Sequence, residues 1–299
     1  KLKSLTKDVV ILKGFNGMMD LCDLDVDLIL NAISGYKGLY LSEKILKNKI
    51  DIALSNKESI VQAGEILSKL AKKNNTNIFP VDSEHSAIWQ CLNGEKNNNI
   101  RRIILTGSGG PFRKLDKKNF YKISKKEALN HPNWSMGNKI TIDSATMMNK
   151  GFEVIEAHWL FGVGYNNIDI VIHPESIIHS MVEFIDGSIK AQLSIPTMTV
   201  PIQYALTYPN RINNDTIFFD FIENNSFTFE EVDFKKFKCI KLAYQAGKAA
   251  GTYTTVLNVS NDLAVDYFLK GKIKFNDIEI IIEKSLNLHK NISYPNMDD

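Results

Sequence analysis

Residues 78–85, Ile78-Phe79-Pro80-Val81-Asp82-Ser83-Glu84-His85, pass from a short apolar run to two carboxylates, a hydroxyl and an imidazole. The run up to Val81 reads as the buried end of a strand. Ala87, Ile88, Cys91 and Leu92 continue at helical spacing, so the polar group stands at a strand-to-helix junction. Upstream the alternation repeats: residues 9–12, 28–33 and 50–54 are strand-like, with helical periodicity over 39–46 and 59–72. Strands alternating with helices make βαβ units, hence a parallel sheet and an α/β fold class. In such a sheet, ligands bind outside the carboxyl ends of the strands, where Asp82 and Glu84 stand. Two carboxylates on one side of an extended backbone repel unless a cation lies between them, and oxygen ligands suit Mg²⁺ or Mn²⁺. A plainer reading makes Asp82 a helix cap and Glu84 a first-turn acid favoured by the helix dipole. These residues alone leave both readings open.

The chain has 299 residues, enough for about two domains, with 44% hydrophobic and 23% charged residues, as in ordinary globular proteins. A net charge of +2 gives no case for nucleic acid or a membrane surface as partner. No apolar run approaches the roughly 20 residues that span a bilayer. Cys22, Cys91 and Cys239 form neither a disulfide framework nor a metal-binding pair, which fits a reducing compartment. The chain begins without Met at Lys1 and enters the apolar run at Val9 almost at once, as if part-way through a domain, so residues upstream are expected.

Downstream the pattern changes. Residues 102–106 read as a further buried strand closed by Gly107-Ser108-Gly109-Gly110-Pro111. Residues 168–173, 178–185 and 188–194 are strands, the last two joined by Asp186-Gly187, a two-residue hairpin signal that implies a mixed sheet. Residues 210–234 lose periodicity, as a linker does. Residues 237–249, 257–268 and 276–288 have helical periodicity without strands.

Four further segments carry chemistry. The glycines after Gly107 free backbone N–H groups to face an anion beside the Ser108 hydroxyl, or form an ordinary turn. His131-Pro132-Asn133-Trp134-Ser135-Met136-Gly137 joins one imidazole to two large apolar side chains, which suits a water-excluding lid or a loop anchored on the core. In residues 143–153, Ser144, Asn149 and Lys150 offer a hydroxyl, an amide and a point charge to a phosphate. Lys150 and Glu153 share a face of an otherwise apolar helix, where a carboxylate needs a partner. That partner is either Lys150 in a structural ion pair or a metal shared with Asp82 and Glu84. Glu156, one turn further, is the rival ligand. Asn56-Lys57-Glu58 follows the strand at 50–54 and offers polar groups at its carboxyl end. His173 and His179 read as satisfied structural histidines.

These blocks together resemble the 1-deoxy-D-xylulose 5-phosphate reductoisomerase family. The matching stretches are residues 55–59, 80–85, 108–112, 131–137 and 143–153, in the family's order and at about its spacing. The resemblance implies that Asp82, Glu84 and Glu153 bind Mg²⁺ or Mn²⁺. Lys57, Ser83, Glu84, Ser108, His131, Ser144, Asn149, Lys150 and Glu153 would contact a phosphosugar, with Lys57, Glu84 and Glu153 catalytic. Trp134 and Met136 would belong to the lid, Met198 would line the site, and Asn56, Glu58 and Gly137 would touch NADPH. It also implies a partial Rossmann-like NADPH-binding domain at 1–81, a catalytic α/β domain at 82–209, a linker at 210–234 and an α-helical domain at 235–299. A homodimer joined near the Asp186-Gly187 hairpin and a bacterial cytoplasmic or plastid-like location follow. The implied reaction is a metal-assisted rearrangement of the carbon skeleton, by retro-aldol cleavage and re-addition, followed by reduction of the aldehyde by NADPH. The family's glycine-rich pyrophosphate turn has no counterpart here, for Gly14-Phe15-Asn16-Gly17 is not one. Two rivals remain: a non-catalytic remnant that binds metal and phosphosugar, and a non-redox phosphosugar lyase or isomerase.

Overall fold

A computed structural model describes residues 10–96, 99–131, 134, 136–214 and 218–299. Residues 1–9, 97–98, 132–133, 135 and 215–217, parts of the expected first strand, lid and linker among them, lie outside the described residues. The first unit comprises α1 (Gly14–Leu21), β1 (Leu28–Asn31), α2 (Lys37–Lys47), β2 (Asp51–Leu54), α3 (Lys57–Asn74) and β3 (Ile78–Pro80). Its three strands are parallel in the order β1-β2-β3, with Asn31 beside Leu54 and Leu54 beside Pro80. The strands therefore end level, and the segments that follow Leu54 and Pro80 emerge on one rim. Residues 10–12, expected as a strand, form none: α1 follows immediately, and Val10 is 83% exposed. A short apolar run without a ladder partner leaves its backbone groups to water.

Asn56 starts α3 by accepting a hydrogen bond from Ser59 N, and Asn75, in the left-handed region, ends it. Ile60, Val61, Leu67 and Ala71 turn inward at helical spacing. With Leu41, Ile45, Leu46 and Ile52, all of these but Val61 form the core of this unit, while Val61 joins the core of the second.

The chain continues through α4 (Ser83–Leu92), β4 (Ile100–Gly107), α5 (Lys125–Ala128), α6 (Asn138–Ala145), α7 (Met148–Phe161), β5 (Ile168–Ile172), β6 (Ile178–Phe184), β7 (Ile189–Leu193) and α8 (Thr199–Thr207). The second sheet has the order β5-β4-β6-β7. β4 pairs parallel with β5 and antiparallel with β6, which forms the expected hairpin with β7. The fold is thus mixed α/β. After the linker come α9 (Lys238–Ala249), α10 (Tyr253–Leu269) and α11 (Asp277–Leu288). α10 begins four residues before the expected start at 257. These helices share one core with α4, α6, α7 and the second sheet, and Phe112, Phe120, Phe237 and Phe275 interlock within it. Trp159 of α7 packs against both cores. α7 therefore runs between the two units, and its polar residues are surrounded by protein.

Candidate active site

The plainer reading of Asp82 fails on geometry. Asp82 is the N-cap of α4, yet its side chain accepts no hydrogen bond from the helix. Its Oδ2 instead lies 2.7 Å from Lys57 Nζ, at the start of α3. Glu84 Oε1 lies 2.8 Å from Lys150 Nζ, and Glu84 Oε2 accepts from Ser83 Oγ at 2.6 Å. Lys150 also reaches Glu153 Oε2 at 2.6 Å and the Thr106 carbonyl at 2.6 Å. Lys57 donates to Asn149 Oδ1 at 2.6 Å, and Asn149 Nδ2 donates to Glu153 Oε1 at 2.5 Å. Glu153 and Glu156 lie 3.9 and 3.8 Å from Lys57 Nζ.

Four acids and two ammonium groups thus share one enclosed volume. Burial, reinforced by Glu84, pushes the Glu153 carboxyl up to about 8. Burial also pushes Glu156 up to about 8. Asp82 is held below the usual carboxylate range: burial opposes this, but the Lys57 ammonium outweighs it. Lys57 and Lys150 are raised despite burial, because the acids around them favour the charged form. Fully ionised, the four acids would outnumber the two ammonium groups, and Glu153 and Glu156 hold protons where no further cation offsets them.

Oxygens of Asp82, Glu84 and Glu153 lie within 4.8 Å of one another. Three hard oxygen donors from two elements, in a cluster short of positive charge, fit Mg²⁺ or Mn²⁺. Asp82, His85 and Glu156 form a second such group. Lysines bridge both groups, Lys150 the first and Lys57 the second, but the first presents Asp82 and Glu84 to the cleft and the second only Asp82. His85 Nε2 donates to the Glu153 carbonyl at 2.9 Å, so this imidazole braces α4 against α7.

A cleft of about 250 Å³ opens over these acids. Among its walls are Lys57, Asp82, Ser83, Glu84, Ser108, His131, Trp134, Ser144, Asn149, Lys150 and Met198. Met136 also lines it. Glu153 is fully buried behind Lys150. Gly107 lets Lys150 through: a Cβ there would stand 2.7 Å from Lys150 Cε. Gly110 adopts φ +66°, and its Cβ would stand 2.6 Å from the Ser144 carbonyl. The glycine turn thus packs against α6 and α7 and sets Ser108 in the cleft wall. His131 Nε2 lies 3.3 Å from Ser108 Oγ, and burial, then Lys150, lowers its pKa.

Asn56, Glu58 and Gly137 are not in this cleft wall. Asn56 is buried, with its side chain engaged by Ser59, Gly35 and Glu58. Gly137 caps α6, and a Cβ there would meet open space. Glu58 is joined to the same helix through Lys139. These residues lie along the rim where the parallel strands end.

Family models cover much of the chain. Residues 1–64 match the model described as 1-deoxy-D-xylulose 5-phosphate reductoisomerase, and residues 78–161 that of its C-terminal domain. Residues 193–299 match that of the DXP reductoisomerase C-terminal domain. The 1-deoxy-D-xylulose 5-phosphate reductoisomerase of Thermoanaerobacter pseudethanolicus is 51% identical over 298 residues, covering 99% of this chain and 78% of its own. The chain belongs to the 1-deoxy-D-xylulose 5-phosphate reductoisomerase family. The Listeria innocua reductoisomerase is 50% identical, with 99% and 79% covered. The Zymomonas mobilis reductoisomerase, solved in complex with NADPH, superposes with a TM-score of 0.90 at 38% identity, over 95% of this chain and 74% of that one. A reductoisomerase solved with NADPH, fosmidomycin and magnesium gives 0.89 at 43% identity, over 94% and 72%.

Sequence reasoning missed several walls of this reductoisomerase cleft. His179 lines it, although its Nε2 is also satisfied 2.9 Å from Ser194 Oγ. His173 does not line it and is enclosed by Thr228, Glu175 and Phe229. Met147 and Ser176, both cleft residues, adopt φ of 60° and 56°. Such strain is concentrated at functional sites. At Met147 it turns the chain from α6 into α7, so that Ser144, Asn149 and Lys150 face one space. No residue type announces it.

Proposed function

We propose that this chain is an NADPH-dependent reductoisomerase that converts 1-deoxy-D-xylulose 5-phosphate to 2-C-methyl-D-erythritol 4-phosphate. The observation that carries the reading is the convergence of Asp82, Glu84 and Glu153 beneath a cleft walled by Ser108, Ser144, Asn149 and Lys150. A hard cation site beside a set of anion ligands suits a phosphorylated polyol chelated through adjacent oxygens.

Asp82, Glu84 and Glu153 hold Mg²⁺ or Mn²⁺, which when bound polarises the ketone and acidifies the neighbouring hydroxyl. Ser108, Ser144, Asn149 and Lys150 take the phosphate, remote from the bonds that change, and hold the carbon fragments together between cleavage and re-addition. Ser83 sits between the two acids of α4 and contacts the sugar hydroxyls. Lys57 keeps its proton and presents a donor beside Asp82 to the oxygen that gains charge. His131 contacts the substrate beside Ser108. Trp134, Met136 and Met198 exclude water. Asn56, Glu58 and Gly137 hold NADPH on the strand-end rim, where open space at Gly137 admits the cofactor and the reducing hydride is supplied.

The same reading makes the protein a homodimer. β7 is a sheet edge, and Ile189, its first residue, and Ile185 in the turn before it are 53% and 68% exposed, so a second copy would cover both. Among the described residues no helix is long and apolar enough to cross a membrane, and the relatives named above are bacterial, which supports a bacterial cytoplasmic location. The test is NADPH oxidation by the complete gene product with 1-deoxy-D-xylulose 5-phosphate and Mg²⁺. Metal-dependent oxidation supports the reading; none, with a folded protein, contradicts it.

A further inference from the structure

Lys139, two residues after Gly137, faces three carboxylates from three parts of the fold. Its Nζ lies 2.8 Å from Asp143 Oδ2 on α6, 3.1 Å from Asp262 Oδ1 on α10 and 3.7 Å from Glu58 Oε1 in the first turn of α3. It also sits 5.2 Å above the Phe152 ring of α7. The acids are held in turn. Asp143 is buried and accepts from Asn261 Nδ2 of α10 at 2.8 Å. Asp262 Oδ2 accepts from Asn258 Nδ2 at 3.3 Å, and Glu58 Oε2 from Asn56 Nδ2 at 2.8 Å. Thr255 of α10 donates to the Gln62 carbonyl of α3 at 3.1 Å, so α10 touches both helices that the ammonium joins.

A lone exposed ion pair contributes little. Here a single ammonium, with an aromatic ring beneath it, meets acids that other side chains already hold in place. Moving α3 or α10 alone breaks one of its pairs, and moving α6 breaks two, leaving acids without their cation. α6 carries Gly137 as its N-cap at this end and Ser144 at the other. Lys139 itself therefore stands at the cofactor end of the helix, and its pair with Asp143, the residue before Ser144, runs toward the other end.

We propose that Lys139 is a positioning residue through which the C-terminal helices brace the cofactor side of the site, with Asp262 and Asn261 anchoring α6 so that Gly137 and Glu58 keep a fixed spacing. The proposal rests on the reading of Glu58 and Gly137 as NADPH contacts. It assigns the C-terminal helices a task in cofactor binding, although no residue of theirs lines the cleft among the described residues.

The test is direct NADPH titration of the complete protein by quenching of its fluorescence, alongside KM for the phosphosugar. Lys139→Met should raise the NADPH Kd about tenfold, equivalent to about 1.4 kcal/mol of binding, and leave the phosphosugar KM within about twofold. Lys139→Arg should recover most of the loss. Asp262→Asn should raise Kd in the same direction, and adding it to Lys139→Met should cost little more, because the two act as one unit. Asp262→Asn carries the test if Lys139→Met does not fold. An unchanged Kd in either folded variant overturns the proposal, as does an equal rise in Kd and KM. Glu58→Gln separates the two readings. A raised Kd there beside an unchanged Kd in Lys139→Met sinks the positioning role alone. An unchanged Kd in Glu58→Gln sinks the cofactor contact and the proposal with it.

Discussion

Lys150 Nζ and Glu153 Oε2 stand 2.6 Å apart, three residues from one another on a helix enclosed by protein, with Glu153 fully buried. The same ammonium reaches Glu84 and faces the cleft. One lysine thus pairs with two of the acids proposed to hold the metal and presents a charge to the cleft where the phosphate is proposed to bind. The Lys150–Glu153 ion pair is present, and the same geometry keeps Asp82, Glu84 and Glu153 close enough to share a cation.

Lys150→Ala should therefore act twice. Without metal, removing the ammonium takes the cation from Glu84 while Glu153 keeps its proton, at a cost of about 3 kcal/mol. Mg²⁺ should restore more stability to the variant than to the parent, since it replaces the lost charge. Phosphonate affinity should fall at least about tenfold, as for loss of one charged hydrogen bond. Urea denaturation with and without Mg²⁺ and a phosphonate titration check both, and unchanged affinity removes Lys150 from the phosphate site.

The α/β rhythm, the Asp186-Gly187 hairpin and the polar residues at strand ends were legible because periodicity and turn chemistry are local. Residues 10–12 were over-read, since an apolar run does not reveal whether a partner strand is present. The capping reading of Asp82 could be neither chosen nor rejected without knowing that Lys57 lies 2.7 Å away. Met147 and Ser176 owe their left-handed backbone to tertiary packing, and their residue types give no signal. The Lys139 junction joins residues 58, 139, 143 and 262, a long-range arrangement that no window of sequence contains.

Stability without metal should fall as pH rises from about 5 to about 8. Glu153 and Glu156, raised by burial to about 8, keep protons that the unfolded chain releases near its ordinary value of 4.5. Their contribution is whole below the ordinary value and is lost as pH rises through the folded one. Asp82 acts in a separate, acidic window: its folded value is depressed, so its contribution is lost only as pH falls below 3.8. Urea midpoints measured without metal across the higher window check the sign. Mg²⁺ should flatten the slope by holding Glu153 ionised, and a midpoint that climbs toward pH 8 contradicts the burial argument.

Two glycine substitutions should separate packing from binding. Gly110→Ala meets both a left-handed φ and the Ser144 carbonyl, and should cost about 1–3 kcal/mol by chemical denaturation. Gly107→Ala meets only the flexible Lys150 stem, so stability should change less while phosphonate affinity drops. Equal loss of stability in the two variants, or unaltered affinity in Gly107→Ala, runs against this assignment.

The most direct measurement is Mn²⁺ binding to Glu153→Gln, by titration calorimetry, with NADPH oxidation assayed on the same sample. The account predicts a folded protein whose metal affinity drops at least about tenfold, as loss of a carboxylate ligand entails, and whose turnover disappears. Parental metal affinity together with parental turnover would contradict it.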